Sequence, residues 1–462
     1  MNSYNTKMVG RAADFKRLAL PTGLGQECAM VLEPTLATRA AAADLIGDVL
    51  RARRSFDSAV ACHDDLAAMS ARDRAFVHNV AITTLRRLGT IDHLLELCVQ
   101  RPLPRRAQQV RDILRVGLCQ ILFMEVSNYA AVATCVELTR QLGYSAHIKL
   151  VNAVLRRLAR DGAKMIPDLD EARVNTPEWL WKRWTAAYGE DICRQIAAAH
   201  LAGASLDIST VGNPQTWATE LGGDILFANT IRLTSRGQVT KIPGFQDGKW
   251  WVQDAAARLI AEMAGDVTGK SVIDLCAAPG GKTAQFLARG AHVTAVDRSA
   301  ARLERLKRNM ERLRFTPHVI EADISNWRPK SLADVVMLDA PCSATGTARR
   351  HPDVLWSKSE SDIVQLAAVQ QAMMSAAAES VAPGGLLIFA TCSLQPEEGI
   401  DHVSPFLNAH SGFHLEPLTA IDVHGLVETL TTCGCFRSLP SHHADRGGID
   451  GFFAARFRRQ MG

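Results

Sequence analysis

The sequence predicts an α/β fold, a parallel sheet covered on both faces by helices, preceded by an all-helical bundle and a small α+β piece. Three observations lead there. From Ser271 onward, short apolar runs (SVIDL, HVTAVD, HVIEAD, DVVMLDA, LLIFATC) alternate with helical stretches such as ARLERLKRNMERL and IVQLAAVQQAMMSAAAESV, the pattern of a parallel sheet buried on both sides. The stretch SVIDLCAAPGGKT reads as a strand, a glycine turn and a helix start. From Ala37 to about Asp161, apolar residues instead recur at spacings of three and four, which is the helical period.

The whole chain sets the bounds. With 462 residues, 47% hydrophobic and 22% charged, it exceeds one ordinary domain, and two or three are expected. No apolar run approaches the roughly 18 residues that span a bilayer. The start, MNSYNTKMVGRAADFKRL, carries no apolar segment behind its basic residues. A cytoplasmic protein with no membrane partner is the expectation; Lys7, Arg11, Lys16 and Arg17, with few acids nearby, leave a mitochondrial-type presequence as the alternative. None of the eleven cysteines forms a CxxC pair, and Cys433 and Cys435, one residue apart, suit neither zinc nor an easy disulfide. Free thiols, a reducing compartment and no metal are expected.

Taken in order, residues 1–35 contain the turn-rich PTGLGQ and read as a flexible extension. Residues 36–165 read as a bundle of roughly six to eight helices, with Val110, Ile113, Leu114, Gly117, Leu118 and Ile121 forming one apolar face. Ser70 before Ala71, with Asp73 following, is a helix start. This segment holds 19 Lys/Arg against 12 Asp/Glu, while the whole chain has a net charge of only +4. Its arginines cluster as Arg51, Arg53, Arg54; Arg86, Arg87; Arg105, Arg106; and Arg156, Arg157, Arg160. Any one cluster reads first as a solvated face. Four of them together, in guanidinium rather than ammonium form, point to phosphate and thus to nucleic acid. Residues 175–255 combine a Trp-rich helix pair, whose Trp179, Trp181 and Trp184 read as core, with the short alternating pieces SLDIST, DILFANTIRLT and GQVTKI, a small α+β element. Residues 256–460 carry the sheet. Cys119, Cys135 and Cys193 read as core thiols.

In an open parallel sheet, ligands bind beyond the carboxyl ends of the strands. Here the first strand delivers Asp274 and the loop Cys276–Lys282, the second Asp297, the third Asp323, the fourth Asp339 and Cys342, and the fifth Cys392. Cys276 stands where a P-loop needs glycine, so PGGKT makes no triphosphate site. The small residues Ala277, Ala278, Gly280 and Gly281 around Pro279 let a ligand approach the backbone. Asp297 lies 23 residues after Asp274, near the offset at which an acid takes ribose hydroxyls, and Asp323 suits an adenine edge. The set fits S-adenosylmethionine; the absence of GxGxxG spacing disfavours NAD. Two thiols beside a methyl donor point to carbon 5 of a pyrimidine. That carbon becomes nucleophilic only after a thiolate adds to carbon 6, and the adduct then needs help to expel the thiol. A free cysteine, with a pKa of about 8.5, needs a cation or loop dipoles to ionise, and Lys282 is a candidate. Asp339 suits the exocyclic amine of cytosine. The chemistry alone does not rank Cys342 against Cys392, and Lys282 is compatible with a place at the cofactor or beside Asp339.

The motifs DLCAAPGGKT, LDAPCSATG followed by RRHPDVLW, and ATCSLQPEEG resemble those of the Nol1/Nop2/Sun family of RNA cytosine-5 methyltransferases. FVHNVAITTLRRLGTIDHLL and LVNAVLRRLAR resemble the NusB-like RNA-binding domain of its bacterial RsmB/Sun-type members, which modify small-subunit ribosomal RNA. PGFQDGKWWVQD and RSLPSHHADRGGIDGFFAARFRR follow the same pattern, so the similarity covers residues 37–458. It implies a class I (Rossmann-like) S-adenosylmethionine methyltransferase domain, an all-α NusB-like N-terminal domain and a small α+β linking subdomain. It also implies Cys392 as nucleophile, Cys342 as the group assisting release, and cofactor contacts from Cys276, Ala277, Ala278, Pro279, Gly280, Gly281, Lys282, Asp297, Asp323 and Asp339. The implied substrate is unassembled 16S rRNA, methylated by a monomer; tRNA as substrate, or a non-catalytic assembly factor, are the alternatives. One departure stands out. Where the family pattern has Leu-Arg-Val-Asn, this chain has Leu206-Asp207-Ile208-Ser209, a charge reversal expected on an RNA-facing strand.

Overall fold

The computed structural model describes residues 32–99, 101–234 and 237–461. The expected extension falls outside the described residues up to 31, and the first helix, Pro34–Ala52, begins inside the stretch read as extension. Proline at the first helical position has its φ preset for the turn, and the alanine-rich run behind it favours helix. Ala40 to Ala43, Leu45, Ile46 and Val49 bury this helix at the centre of the bundle, packed on helices Ala71–Arg86, Gln108–Phe123 and Asn128–Gln141. Ser70 caps Ala71–Arg86 by accepting from Asp73 N, as the sequence predicts. Cys119, Cys135 and Cys193 are buried, and burial pushes the first two thiols up to about 12.

The helix pair Glu178–Tyr188 and Glu190–Ala202 buries Trp181 and Trp184. A four-stranded antiparallel sheet follows, built from β1 (Leu206–Thr210), β2 (Gly223–Ile225), β3 (Thr230–Leu233) and β4 (Trp250–Val252) in the order β2-β3-β1-β4. GQVTKI is not a strand; Val239–Lys241 forms a single 3₁₀ turn.

The main sheet contains β5 (Ser271–Leu275), β6 (His292–Asp297), β7 (His318–Glu321), β8 (Ala333–Asp339), β9 (Val381–Thr391), β10 (Phe413–Leu415), β11 (Phe436–Arg437) and β12 (Phe453–Arg459). Its order is β10-β12-β9-β8-β5-β6-β7, with β11 paired to β12. The five foreseen strands pair with one another in parallel. The sheet is mixed, however, because β12 runs antiparallel to β9, and β10 and β11 antiparallel to β12. The strand order reverses at β5, between β6 and β8, so the crevice expected of such a sheet opens beyond Leu275.

The bundle docks on the sheet domain through the segment Arg349–Trp356. Arg86 donates to the carbonyls of His200 (2.7 Å) and Arg349 (2.8 Å). Phe56 N donates to Asp353 Oδ2 (2.9 Å), and Trp356 Nε1 to Leu85 O (2.8 Å). Arg53 pairs with Asp362, Arg51 with Asp112, Arg54 with Asp48 and Arg87 with Glu171. The first two arginine clusters therefore make contacts within the protein, with Arg51, Arg53 and Arg54 still exposed. Arg105, Arg106, Arg156, Arg157 and Arg160 stay exposed.

Asp207 corrects a second expectation. It is fully buried and accepts both Arg232 Nε and Nη2 at 2.7 Å from the paired position on β3, and it takes Ala255 N at 3.3 Å. The reversed charge is matched by a buried arginine across the ladder, so this strand position does not face RNA.

Candidate active site

The loop after β5 turns sharply. Cys276 takes a left-handed φ of 61° and Gly280 a φ of 101°, a backbone that favours glycine. A Cβ on Gly280 would also meet Met310 Cε at 2.9 Å. The helix Gly281–Ala288 starts immediately after. Burial, with Asp297 and Asp339 nearby, pushes the Cys276 thiol up to about 12, so it remains a protonated wall residue.

The strand-end acids occupy distinct settings. Asp297 is buried; its Oδ2 accepts from Ala278 N (3.3 Å) and pairs with Arg302 (3.1 Å), and its Oδ1 accepts from Ser299 N (3.0 Å). Asp323 lies two residues past the end of β7, exposed, with Oδ1 accepting from Ser325 N (2.9 Å). Asp274 is buried: Oδ2 accepts from Thr283 Oγ1 at 2.6 Å, while Oδ1 has no partner. Burial is the main cause of its rise to about 7. A carboxyl with a raised folded-state pKa binds more protons folded than unfolded, so its contribution to stability is lost as pH rises from about 4 to about 7. Asp274→Asn should flatten that part of the profile, gaining up to roughly 4 kcal/mol relative to wild type at pH 8 over pH 4, as checked by urea unfolding at both pH values.

Lys282 does not line the crevice. It is buried behind it, with Nζ 2.7 Å from Asp339 Oδ2 and 5.4 Å from the Phe452 ring centroid. Burial alone would lower its pKa, but Asp339 overcomes this and holds the ammonium above its ordinary value, with Cys392 adding to the effect. Of the two places open to it, Lys282 takes the one beside Asp339.

The parallel pairing of β8 with β9 sets Asp339 opposite Ala390, so the segments leaving the two strands run side by side. Cys342 and Cys392 meet there at an Sγ–Sγ distance of 3.4 Å. The hydrogen bond to Cys392, followed by burial, holds Cys342 well above the ordinary thiol range. Either sulfur can donate to the other.

These groups share one cavity of about 410 Å³. Cys276, Ala278, Asp297, Asp323, Asp339, Cys342 and Cys392 line it; Ala277, Pro279, Gly280, Gly281 and Lys282 shape the turn behind it. The residues fit S-adenosylmethionine: the loop leaves no side chain beyond Cys276 and Ala278 on that wall, and the carboxylates of Asp297, Asp323 and Asp339 line the same cavity. Sequence reasoning missed Arg298 and Arg302 beside Asp297, and Leu366, Val369 and Met373 from the helix Glu360–Ala378. The spacing of three and four in the last group was the available signal.

Residues 264–458 match the family described as 16S rRNA methyltransferase RsmB/F, and residues 36–160 match the NusB family. The ribosomal RNA small subunit methyltransferase B of Pasteurella multocida is 33% identical over 445 residues, covering 92% of this chain and 96% of that protein. Its counterpart in Serratia proteamaculans is 33% identical over 395 residues, covering 82% and 91%. Among solved structures, PH0851 aligns with a TM-score of 0.71 at 22% identity, covering 93% of this chain and 100% of that one. NSun6 from Pyrococcus horikoshii with SFG aligns at 0.52 and 18% over 62% and 99%. At these identities the structures speak for the fold: an all-helical NusB region and a Rossmann-like methyltransferase domain. On the strength of the full-length sequence relatives and both matched segments, the chain belongs to the RsmB/F family of S-adenosylmethionine-dependent methyltransferases.

Proposed function

We propose that this protein methylates carbon 5 of a cytosine in 16S rRNA through a covalent bond from Cys392 to carbon 6. The observation that carries the reading is the Cys342–Cys392 pair at 3.4 Å in one cavity with Asp339 and the other strand-end acids, Lys282 pairing with Asp339 from behind. Asp339 gives Oδ2 to Lys282, leaving Oδ1 to accept from the exocyclic amine of the base. Cys392 adds to carbon 6 as a thiolate, and the electron pair moves to carbon 5. S-adenosylmethionine, when bound, supplies the methyl group to that carbon. In release, the carbon 5 proton passes to Cys342 sulfur as the Cys342 proton passes to the departing Cys392 sulfur, and the double bond reforms. The target base must be unpaired or flipped out, which favours free, unassembled rRNA as substrate; the reading takes the enzyme as a cytoplasmic monomer.

The exposed arginines support an RNA path over the bundle. Asn128, Tyr129, Asn152, Arg156 and Arg160 line a groove of about 530 Å³, with Tyr129 83% exposed. An aromatic face beside guanidinium groups suits stacking on unpaired bases. Tyr129→Ala with Arg156→Ala should weaken rRNA binding about tenfold and lower its salt slope by about one, as measured by filter binding, with cofactor affinity unchanged.

The test is transfer of label from methyl-tritiated S-adenosylmethionine to deproteinised 16S rRNA, assembled small subunits and tRNA. The reading expects label in free 16S rRNA, lost in Cys392→Ala. Label in tRNA alone would move the substrate, and no transfer despite tight rRNA binding would leave an assembly factor.

A further inference from the structure

The ladder between β8 and β9 ends at Asp339 and Ala390, apart from Ala340 N donating to Ala390 O at 2.9 Å. Cys342 and Cys392 lie beyond it, so pairing between these two strands no longer sets their separation; β12 still pairs with Thr391, and Gly346 N donates to Cys392 O at 2.9 Å, but neither contact reaches Cys342. Their 3.4 Å approach needs a tie between the two segments. It is found one residue further along each segment. The hydroxyls of Ser343 and Ser393 lie 3.0 Å apart, and both donate to Oε2 of Glu398, which is fully buried in the 3₁₀ turn Pro396–Glu398. Its Oε1 accepts from Ser343 N (2.9 Å) and Gln370 Nε2 (3.1 Å). Gln370 Nε2 also donates to Pro341 O at 2.9 Å, immediately before Cys342. On the other side, Thr391 Oγ1 donates to the Glu398 carbonyl at 2.7 Å, immediately before Cys392.

We propose that Glu398 is the positioning residue that ties the two cysteine segments together and fixes the distance between Cys342 and Cys392. This rests on the roles given to the two thiols above, but the geometric part stands without them. A buried carboxylate accepting four hydrogen bonds is a strong, directional tie. Each of its oxygens reaches the Ser343 segment, and Oε2 reaches the Ser393 segment as well. Removing it leaves two buried hydroxyls and a backbone N–H short of their acceptor, and the segments lose their shared anchor. Glutamine keeps the shape: its carbonyl can accept from Ser343 N, and its amide can donate to hydroxyls that rotate. Glu398→Gln should therefore keep the thiols together where Glu398→Ala does not.

The experiment reads thiol proximity directly. The full-length protein is treated with diamide, which takes two electrons and two protons from a thiol pair to form a disulfide, and the Cys342–Cys392 peptide is followed by mass spectrometry. Wild type and Glu398→Gln should form it at similar rates, and Glu398→Ala about tenfold more slowly or more. Should Glu398→Ala fail to fold, Ser343→Ala with Ser393→Ala removes both Oε2 donors and should show the same slowing. In single-turnover methylation at saturating rRNA, Glu398→Ala should lose about 100-fold in rate, with S-adenosylmethionine affinity within about twofold and rescue by Glu398→Gln. Equal disulfide rates in wild type, Glu398→Ala and the double serine variant would overturn the proposal. If the rates differ but the wild type methylates no RNA, the positioning role stands and the functional reading falls.

Discussion

Cys342→Ala, mixed with deproteinised 16S rRNA and S-adenosylmethionine, should accumulate as a protein–RNA adduct that survives denaturant. On the proposed mechanism Cys392 can still attack carbon 6 in this variant, because its sulfur and the Lys282–Asp339 pair beside it are untouched. What is lost is the second thiol, 3.4 Å away, which the proposed mechanism uses to exchange protons with carbon 5 and the departing sulfur. Entry is preserved and exit is blocked, so the covalent state fills. In Cys342→Ala/Cys392→Ala the adduct should vanish. Cys392→Ala alone should bind RNA, form no adduct and lose methyl transfer by a factor on the order of 10⁴. Denaturing gel electrophoresis with labelled rRNA distinguishes the variants. An adduct that forms in Cys392→Ala and disappears in Cys342→Ala would exchange the two roles.

Asp207→Arg places at this position the residue that the resemblance implies, yet here it should be among the most damaging single changes. The new guanidinium would face Arg232, itself buried, with Arg350 Nη2 3.7 Å from the present Asp207 carboxylate. Breaking a buried pair and adding a like charge costs about 3–5 kcal/mol, a large part of the stability of an ordinary domain. The reversed pair, Asp207→Arg with Arg232→Asp, should regain only part of the loss: the two positions are direct partners on β1 and β3, but Ala255 N and Arg350 would then face a guanidinium. Urea unfolding of the three proteins measures the difference. A fully stable Asp207→Arg would show that the pair carries little of the fold.

That pair also marks what the sequence could and could not disclose. Near-continuous apolar runs made β5, β6, β8 and β9 legible, and strand-end reasoning brought Asp297, Asp339, Cys342 and Cys392 to one crevice. β12 was not legible as a strand, because FAARFRR mixes basic and apolar residues and pairs antiparallel at the far side of β9. Helical period cannot tell which polar face docks on another domain, so Arg53 and Arg86 read like the exposed Arg156. Partnership across a ladder is equally silent: nothing in the local sequence of Asp207 points to Arg232. Glu397 and Glu398 are neighbours of the same type, yet Glu397 pairs with Arg183 while Glu398 is fully buried between Ser343 and Ser393. Side-chain direction within a 3₁₀ turn decides that, and composition does not carry it.

The most direct measurement is the identity of the modified nucleoside. Free 16S rRNA incubated with the wild-type protein and S-adenosylmethionine is digested to nucleosides and resolved by liquid chromatography and mass spectrometry against methylated standards. Attack by Cys392 at carbon 6 predicts a single new product, 5-methylcytidine, absent with Cys392→Ala. Methyl groups on the exocyclic amine of cytosine or on ribose hydroxyls, or 5-methylcytidine still formed by Cys392→Ala, would contradict the account.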